Sequence, residues 1–179
     1  MRLLFWLGLM FLSACHNQNL KPHSLIVDSI VSNDWKLSGK MSLSDGQDGG
    51  SGSISWSESE GKVLAIFKAP LGQGSWQLDE RKGEIKNSKG QSWSGFDMSL
   101  LLRQQLGWEV PWVALKQSVK GISVDQPVVT GTYSRSFVRE GWQIEWKNIK
   151  EVDGLWLPHK IFLKKAPYSV KISVKSWSL

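Results

Sequence analysis

The chain has 179 residues, with 22 Lys and Arg against 16 Asp and Glu for a formal net charge of +6, a length that suits one domain with its own core. The surplus is scattered, densest at Arg81-Lys82 and Lys164-Lys165, and no Arg-rich stretch occurs; this argues against nucleic acid and leaves anionic lipid head groups or acidic proteins as partners. A single cysteine excludes an internal disulfide, so the fold must rest on burial.

Met1-Arg2 is followed by an uncharged run from Leu3 to Leu12, then Ser13-Ala14-Cys15 and a polar His16-Asn17-Gln18-Asn19. A basic start, a short apolar stretch and small residues ahead of a cleavage point predict a secretory signal peptide over residues 1–14. The ten apolar residues are about half of what a membrane-spanning helix needs, so a transmembrane anchor is the weaker reading. Leu12-Ser13-Ala14-Cys15 resembles the lipobox of bacterial lipoproteins. That resemblance implies cleavage before Cys15, with a thioether-linked diacylglycerol and an N-acyl chain added to it. Lipidation would consume the one thiol of an exported chain, and several acyl chains hold a protein at a bilayer where one binds only reversibly. In such lipoproteins an Asp after the cysteine often signals inner-membrane retention, so His16 points to the outer membrane. Loss of the leader removes Arg2 and leaves 165 residues at net charge +5.

Residues 15–21 read as a lipidated tether and residues 22–179 as a single domain. From Pro22 to Asp34, Leu25, Ile26, Ile30 and Val31 fit one helix face. Trp35 to Ser44 alternates apolar and polar residues, which predicts a strand with one face on a core. A turn-rich Asp45–Gly50 follows, then strands over Ser51–Ser57 and Lys62–Lys68 on either side of a turn at Glu58–Gly61. Ala69-Pro70-Leu71-Gly72 makes the next turn, and Ser75–Asp79 alternates again. Met98, Leu101, Leu102 and Leu106 then take helical spacing, with Asp97 as N-cap and Gly107 beyond the end. A second helix is predicted over Pro111–Lys120, with Pro at its first position, Trp112, Leu115 and Val119 as its stripe, and Gly121 past its end. Strands return at Thr130–Val138, Gly141–Lys147, Leu155–Leu163 and Tyr168–Trp177. The architecture this predicts is mainly β (α+β): a curved antiparallel sheet or incomplete barrel with helices as a lid or plug.

Ten of the eleven tryptophans lie beyond the leader. Trp suits both a packed β core and the wall of an apolar cavity, and both readings stand. His16 and His23 belong to the N-terminal region, which leaves His159 alone in the body of the fold. No nucleophile–base motif, metal-ligand cluster or phosphate loop occurs, so the domain reads as a binder without cofactor or metal rather than an enzyme. Leu71 occupies a turn position normally taken by Asn, Asp or Ser. Either it folds back onto the core or it stands out, ready to enter a bilayer.

Several features then come in a telling order: the lipobox, Trp35-Lys-Leu-Ser-Gly39, Ser55-Trp56, Ala69-Pro70-Leu71-Gly72, Leu106-Gly107-Trp108 with Pro111, Leu115 before Gly121, Gly141-Trp142, Leu157-Pro158 and Trp177. Together they resemble the outer-membrane lipoprotein receptor LolB family across the whole mature chain. The resemblance implies an incomplete barrel closed by helices around a hydrophobic cavity. It implies a protein that takes acylated lipoprotein cargo from the periplasmic carrier LolA and deposits it among outer-membrane phospholipids, acting as a monomer. It also implies membrane insertion by the Pro70, Leu71, Gly72 turn, led by Leu71. One departure is Ser118, in a segment where the family often has an aromatic residue; either the cavity wall differs there or another Trp fills the space. The cavity lining is expected among Trp56, Leu64, Ile66, Trp76, Leu78, Trp142, Ile144 and Trp146. Two other readings are a generic envelope lipid binder and a structural lipoprotein without a cavity.

Overall fold

The computed structural model describes residues 34–72, 74–106, 110–120, 128–131 and 134–179. The expectations for residues 1–33, including Cys15 and the tether, and for Gly107, Trp108 and Gly121 lie outside these residues. The first meander consists of β1 (Asp34–Ser44), β2 (Gly49–Ser59), β3 (Lys62–Lys68), β4 (Ser75–Asp79), β5 (Glu84–Asn87) and β6 (Ser92–Ser94). Two helices follow, α1 (Met98–Leu106) and α2 (Trp112–Val119). The second meander comprises β7 (Val128–Gly131), β8 (Ser134–Arg139), β9 (Trp142–Val152), β10 (Leu155–Lys165) and β11 (Tyr168–Ser178).

All eleven strands form one antiparallel sheet in the order β6-β5-β4-β3-β2-β1-β11-β10-β9-β8-β7. The chain builds outward from β1 to one edge, crosses on the helices to the far edge, and builds back until β11 pairs with β1. The edges β6 and β7 are not paired with each other, so the curved sheet is an incomplete barrel with the helices as its lid. Three hairpins turn on Glu60-Gly61, Glu140-Gly141 and Asp153-Gly154, each residue at positive φ, the backbone that two-residue hairpins require for their twist.

Where β1 meets β11 the register shifts between Ser38 and Gly39, which leaves Lys175 as the extra residue. The backbones come so close there that a Cβ on Gly39 would lie 2.2 Å from the Ser173 carbonyl oxygen. The shift also returns Trp177 to the face of Leu37, where it packs against Trp35 with ring centroids 5.7 Å apart. The Trp-Lys-Leu-Ser-Gly stretch is thus a bulge site in which the glycine is obligatory.

Several bounds differ from the sequence expectation. The single strand over Thr130–Val138 is two strands, β7 and β8, and β2 extends into Gly49-Gly50. Strands β5 and β6 were not anticipated because each carries one apolar residue, Ile85 and Trp93. Strand β9 runs on to Val152. Asn148 takes φ 53°, and past it the buried positions switch from Trp142, Ile144 and Trp146 to Ile149, so the sequence alternation stops while pairing continues. Asp97 caps α1 as expected, its Oδ1 accepting from the N–H groups of Ser99 (2.8 Å) and Leu100 (3.1 Å). Pro111 is the N-cap of α2 rather than its first helical residue, at φ −74° and ψ 71°.

Candidate functional site

The inward residues of β1–β5 and the two helices enclose a cavity of about 480 Å³, within the usual ligand-pocket range of about 300–1,000 Å³. Its floor comes from the sheet, where Met41, Ile54, Trp56, Ala65, Phe67 and Leu78 share one face. Its roof is helical: Leu102 and Gln105 from α1, Val110, and Trp112 and Leu115 from α2. The cavity reaches the surface at the β1–β2 hairpin, where Asp48, Gly49 and Gly50 line it and are exposed. Apart from that rim, which Ser44 and Asp45 complete, and Gln105 the wall is apolar.

Polar anchors hold α2 against the sheet. Glu80, in the β4–β5 turn, accepts hydrogen bonds from Trp112 Nε1 (2.7 Å), Lys116 Nζ (2.7 Å) and the Val63 backbone N–H (2.8 Å). Lys116 Nζ also donates to the Gly61 carbonyl at 2.8 Å. Burial pushes the Glu80 carboxyl up, but the bonds from Lys116, Trp112 and Val63 together outweigh it and hold the pKa below the ordinary value. Glu58 occupies an inward position on β2 and is almost fully buried; Lys120, just after α2, neutralises it. Trp112, placed by Glu80, stacks on Trp56 with centroids 5.1 Å apart and planes at 24°. At the far end of α2, the Ser118 carbonyl accepts from Trp146 Nε1 at 3.1 Å. Trp146 is thus tied to the segment that carries Ser118.

Of the eight expected lining residues, Trp56, Trp76 and Leu78 border the cavity. Leu64 and Ile66 do not. On β3 the inward positions are Val63, Ala65 and Phe67, because Ala65 pairs with Trp56; Leu64, 36% exposed, and Ile66 face outward. The run Val-Leu-Ala-Ile-Phe carries no polar alternation, so sequence parity could not separate its two faces. Trp142, Ile144 and Trp146 do face inward, but under the β8–β11 half, where they are fully buried with Phe137, Ile161 and Leu163 and do not border this cavity. The tryptophans are thus divided, some lining the cavity and others filling the core. Met41, Phe67, Leu102 and Val110 were not anticipated as lining. Phe67 and Met41 follow from register, whereas Leu102 on α1 and Val110 just ahead of α2 depend on how the lid sits. His159 lies away from the cavity, with Nδ1 3.2 Å from the Leu157 oxygen, and burial with Lys150 nearby holds its pKa below the usual histidine value.

Leu71 stands 97% exposed in a short 3-10 turn, Pro70–Gly72, with φ 52° and ψ 29°. A bulky residue in left-handed backbone is uncommon, and here it projects the side chain away from the fold. The turn is closed by Ala69 N–H to the Gly74 oxygen, 2.9 Å. Register places the β3–β4 turn and the β1–β2 hairpin at the same end of the strands, since Ser53 pairs with Lys68. Leu71 and the cavity mouth therefore face the same way.

The fold and site define a helix-lidded half-barrel around an apolar chamber, with one leucine projecting at the end where the chamber opens. The family model "Outer membrane lipoprotein LolB" matches residues 33–177, and the chain belongs to that family of outer-membrane lipoproteins. Relatives named outer-membrane lipoprotein LolB include that of Pseudomonas fluorescens, 27% identical over 150 residues, covering 80% of this chain and 73% of the relative. That of Pseudomonas aeruginosa is 29% identical over the same length and coverage. The protein of Marinomonas sp. is 26% identical over 180 residues, covering 94% of this chain and 92% of its own. A DUF1329 family protein from Desulfovibrio piger overlays with a TM-score of 0.46 at 10% identity over 85% of each chain, too loose a likeness to carry an argument.

Proposed function

We propose that this protein receives acylated lipoproteins from the soluble periplasmic carrier LolA, houses their acyl chains in the cavity, and passes them into the outer membrane beside Leu71. The observation that carries this reading is the shared orientation of the cavity mouth and the exposed leucine. An acyl chain of about fifteen methylenes costs roughly 12 kcal/mol to hold in water, at about 0.8 kcal/mol each. A dry chamber removes that barrier without nucleotide, metal or covalent step. One-way delivery needs only that the chamber binds the chains better than the carrier does, and the bilayer better still.

In this reading residues 1–14 are cleaved, Cys15 carries the acyl anchor, and the short tether leaves the domain free to act as a monomer on the periplasmic face. Leu71 contributes about 1.5–3 kcal/mol when buried in a bilayer, too little to anchor but enough to press the cavity mouth against it. The test is Leu71→Glu in the full-length acylated protein: cargo binding stays as in wild type, and release into phospholipid vesicles stops. Normal release by that variant defeats the insertion role. A structural lipoprotein would take up no fatty-acyl probe at all.

A further inference from the structure

Antiparallel register lines up one row of outward residues across six strands. Lys68 on β3 pairs with Ser53 on β2, Ser53 with Lys40 on β1, Lys40 with Ser173 on β11, Ser173 with Lys160 on β10, and Lys160 with Lys147 on β9. Their neighbours Phe67, Met41, Ile172, Ile161 and Trp146 face the interior, so the row lies on the outer face, and all four lysines are exposed. With strands about 4.8 Å apart the row spans roughly 24 Å. It ends at Lys68, three residues before Leu71.

Three of the four charges in this row are uncompensated among the described residues. Among the described residues Lys40, Lys68 and Lys160 pair with no carboxylate, while Lys147 pairs with Glu145 at 3.0 Å. Lys160 and Lys147 sit directly opposite each other, an arrangement that costs stability in an isolated sheet. Lys171 and Lys164 lie between the row and the cavity end, opposite Ser42 and Ser169. The acids at that end are Glu145, which pairs with Lys147, and Glu140, Asp45 and Asp48, of which Asp45 turns inward onto the backbone N–H groups of Gln47 and Asp48. Ammonium and hydroxyl groups set along this convex outer face are all hydrogen-bond donors suited to phosphate oxygens.

We infer that this lysine–serine row is a docking surface for a bilayer bearing anionic phospholipid head groups. It tilts the outer sheet face toward the head groups beside the inserted Leu71 and so sets the angle at which the cavity mouth meets the bilayer. The inference rests on the proposed delivery at Leu71 and adds the lipid class that delivery prefers. A basic flank of this size raises affinity for an anionic surface by about tenfold or more, and salt screens it.

The test uses the full-length acylated protein reconstituted in vesicles of neutral phosphatidylcholine, or of phosphatidylcholine with about a quarter phosphatidylglycerol, and follows transfer of an acylated lipoprotein from its soluble carrier. Wild type transfers about tenfold faster into the anionic vesicles, and about 1 M salt abolishes the advantage. A Lys40→Gln/Lys68→Gln/Lys160→Gln variant, its fold checked by circular dichroism, keeps the wild-type rate on neutral vesicles and loses the anionic gain. Equal wild-type rates on both membranes overturn the inference, as does a gain that survives in the triple variant. A triple variant slowed equally on both membranes also overturns it, since the lysines would then serve the protein carrier. Leu71→Glu separates the two readings: it stops transfer on both membranes if insertion holds, and transfers normally, with its lipid dependence still readable, if insertion fails.

Discussion

Glu80 ties the lid helix that roofs the cavity to the sheet that floors it, and its removal has a size that can be worked from geometry. Glu80→Ala leaves Trp112 Nε1 and the Val63 N–H without their acceptor and takes from Lys116 its only carboxylate partner among the described residues. A buried donor left unpaired costs about 1–3 kcal/mol. The Glu80 and Lys116 side chains retain 14% and 23% exposure, so water recovers part of that, and the expected loss is about 2–4 kcal/mol. The assay is urea unfolding followed by tryptophan fluorescence. A loss below about 1 kcal/mol would refute the idea that Glu80 is the clamp. The pH dependence supplies a second check. The folded carboxyl has a pKa below its ordinary value of 4.5, so its contribution is complete above that value and disappears as pH falls through the lower folded pKa. The stability gap between wild type and Glu80→Ala is therefore constant near neutrality and narrows in acid. A gap that widens in acid contradicts the assignment.

Other changes probe other parts of the account. Ala65→Leu puts bulk into the cavity from its floor and is expected to reduce uptake of a fluorescent acyl probe, while Leu64→Gln on the opposite face of β3 leaves uptake unchanged. Gly39→Ala sets a methyl group against the Ser173 oxygen and is expected to cost more than about 2 kcal/mol or shift the β1–β11 register, read by thermal unfolding and amide exchange. Asp97→Ala removes the α1 cap and costs about 1 kcal/mol in the same unfolding assay. Cys15→Ala moves the protein from the membrane fraction to the soluble periplasmic fraction. A variant that stays membrane-bound after a salt wash removes the acyl anchor from the account.

Much of the sheet was legible because one face of each long strand is dry and the other wet, and alternation in Trp35–Leu43, Ile54–Trp56 and Trp142–Trp146 reports that directly. It failed where the physics does not write alternation. Strand β3 is apolar on both faces, so Leu64 and Ile66 could be placed only once pairing with β2 was known. Strand β9 passes through a left-handed Asn148, after which its inward positions change parity. Which inward residues border the cavity and which lie buried away from it is beyond periodicity altogether. Trp56 and Trp146 have the same sequence signature, and only the position of α2 makes one a cavity wall and the other core. The same holds for the clamp: nothing in the local sequence of Glu80 or Glu58 marks it as an anchor until the helix brings Lys116 and Lys120 to them. Leu71 was the reverse case, a local anomaly visible in the turn chemistry, which the structure places almost fully in solvent.

The central claim is that acyl chains occupy the cavity, and a photoreactive acyl chain on a lipoprotein cargo tests it most directly. Loaded onto the full-length protein, activated and mapped by mass spectrometry, it should label Phe67, Trp76 and Leu102 and leave Leu64, Ile66, Trp142, Ile144 and Trp146 unmarked. Labelling confined to the outer face of β3, or to the packed β9 tryptophans, would contradict the account.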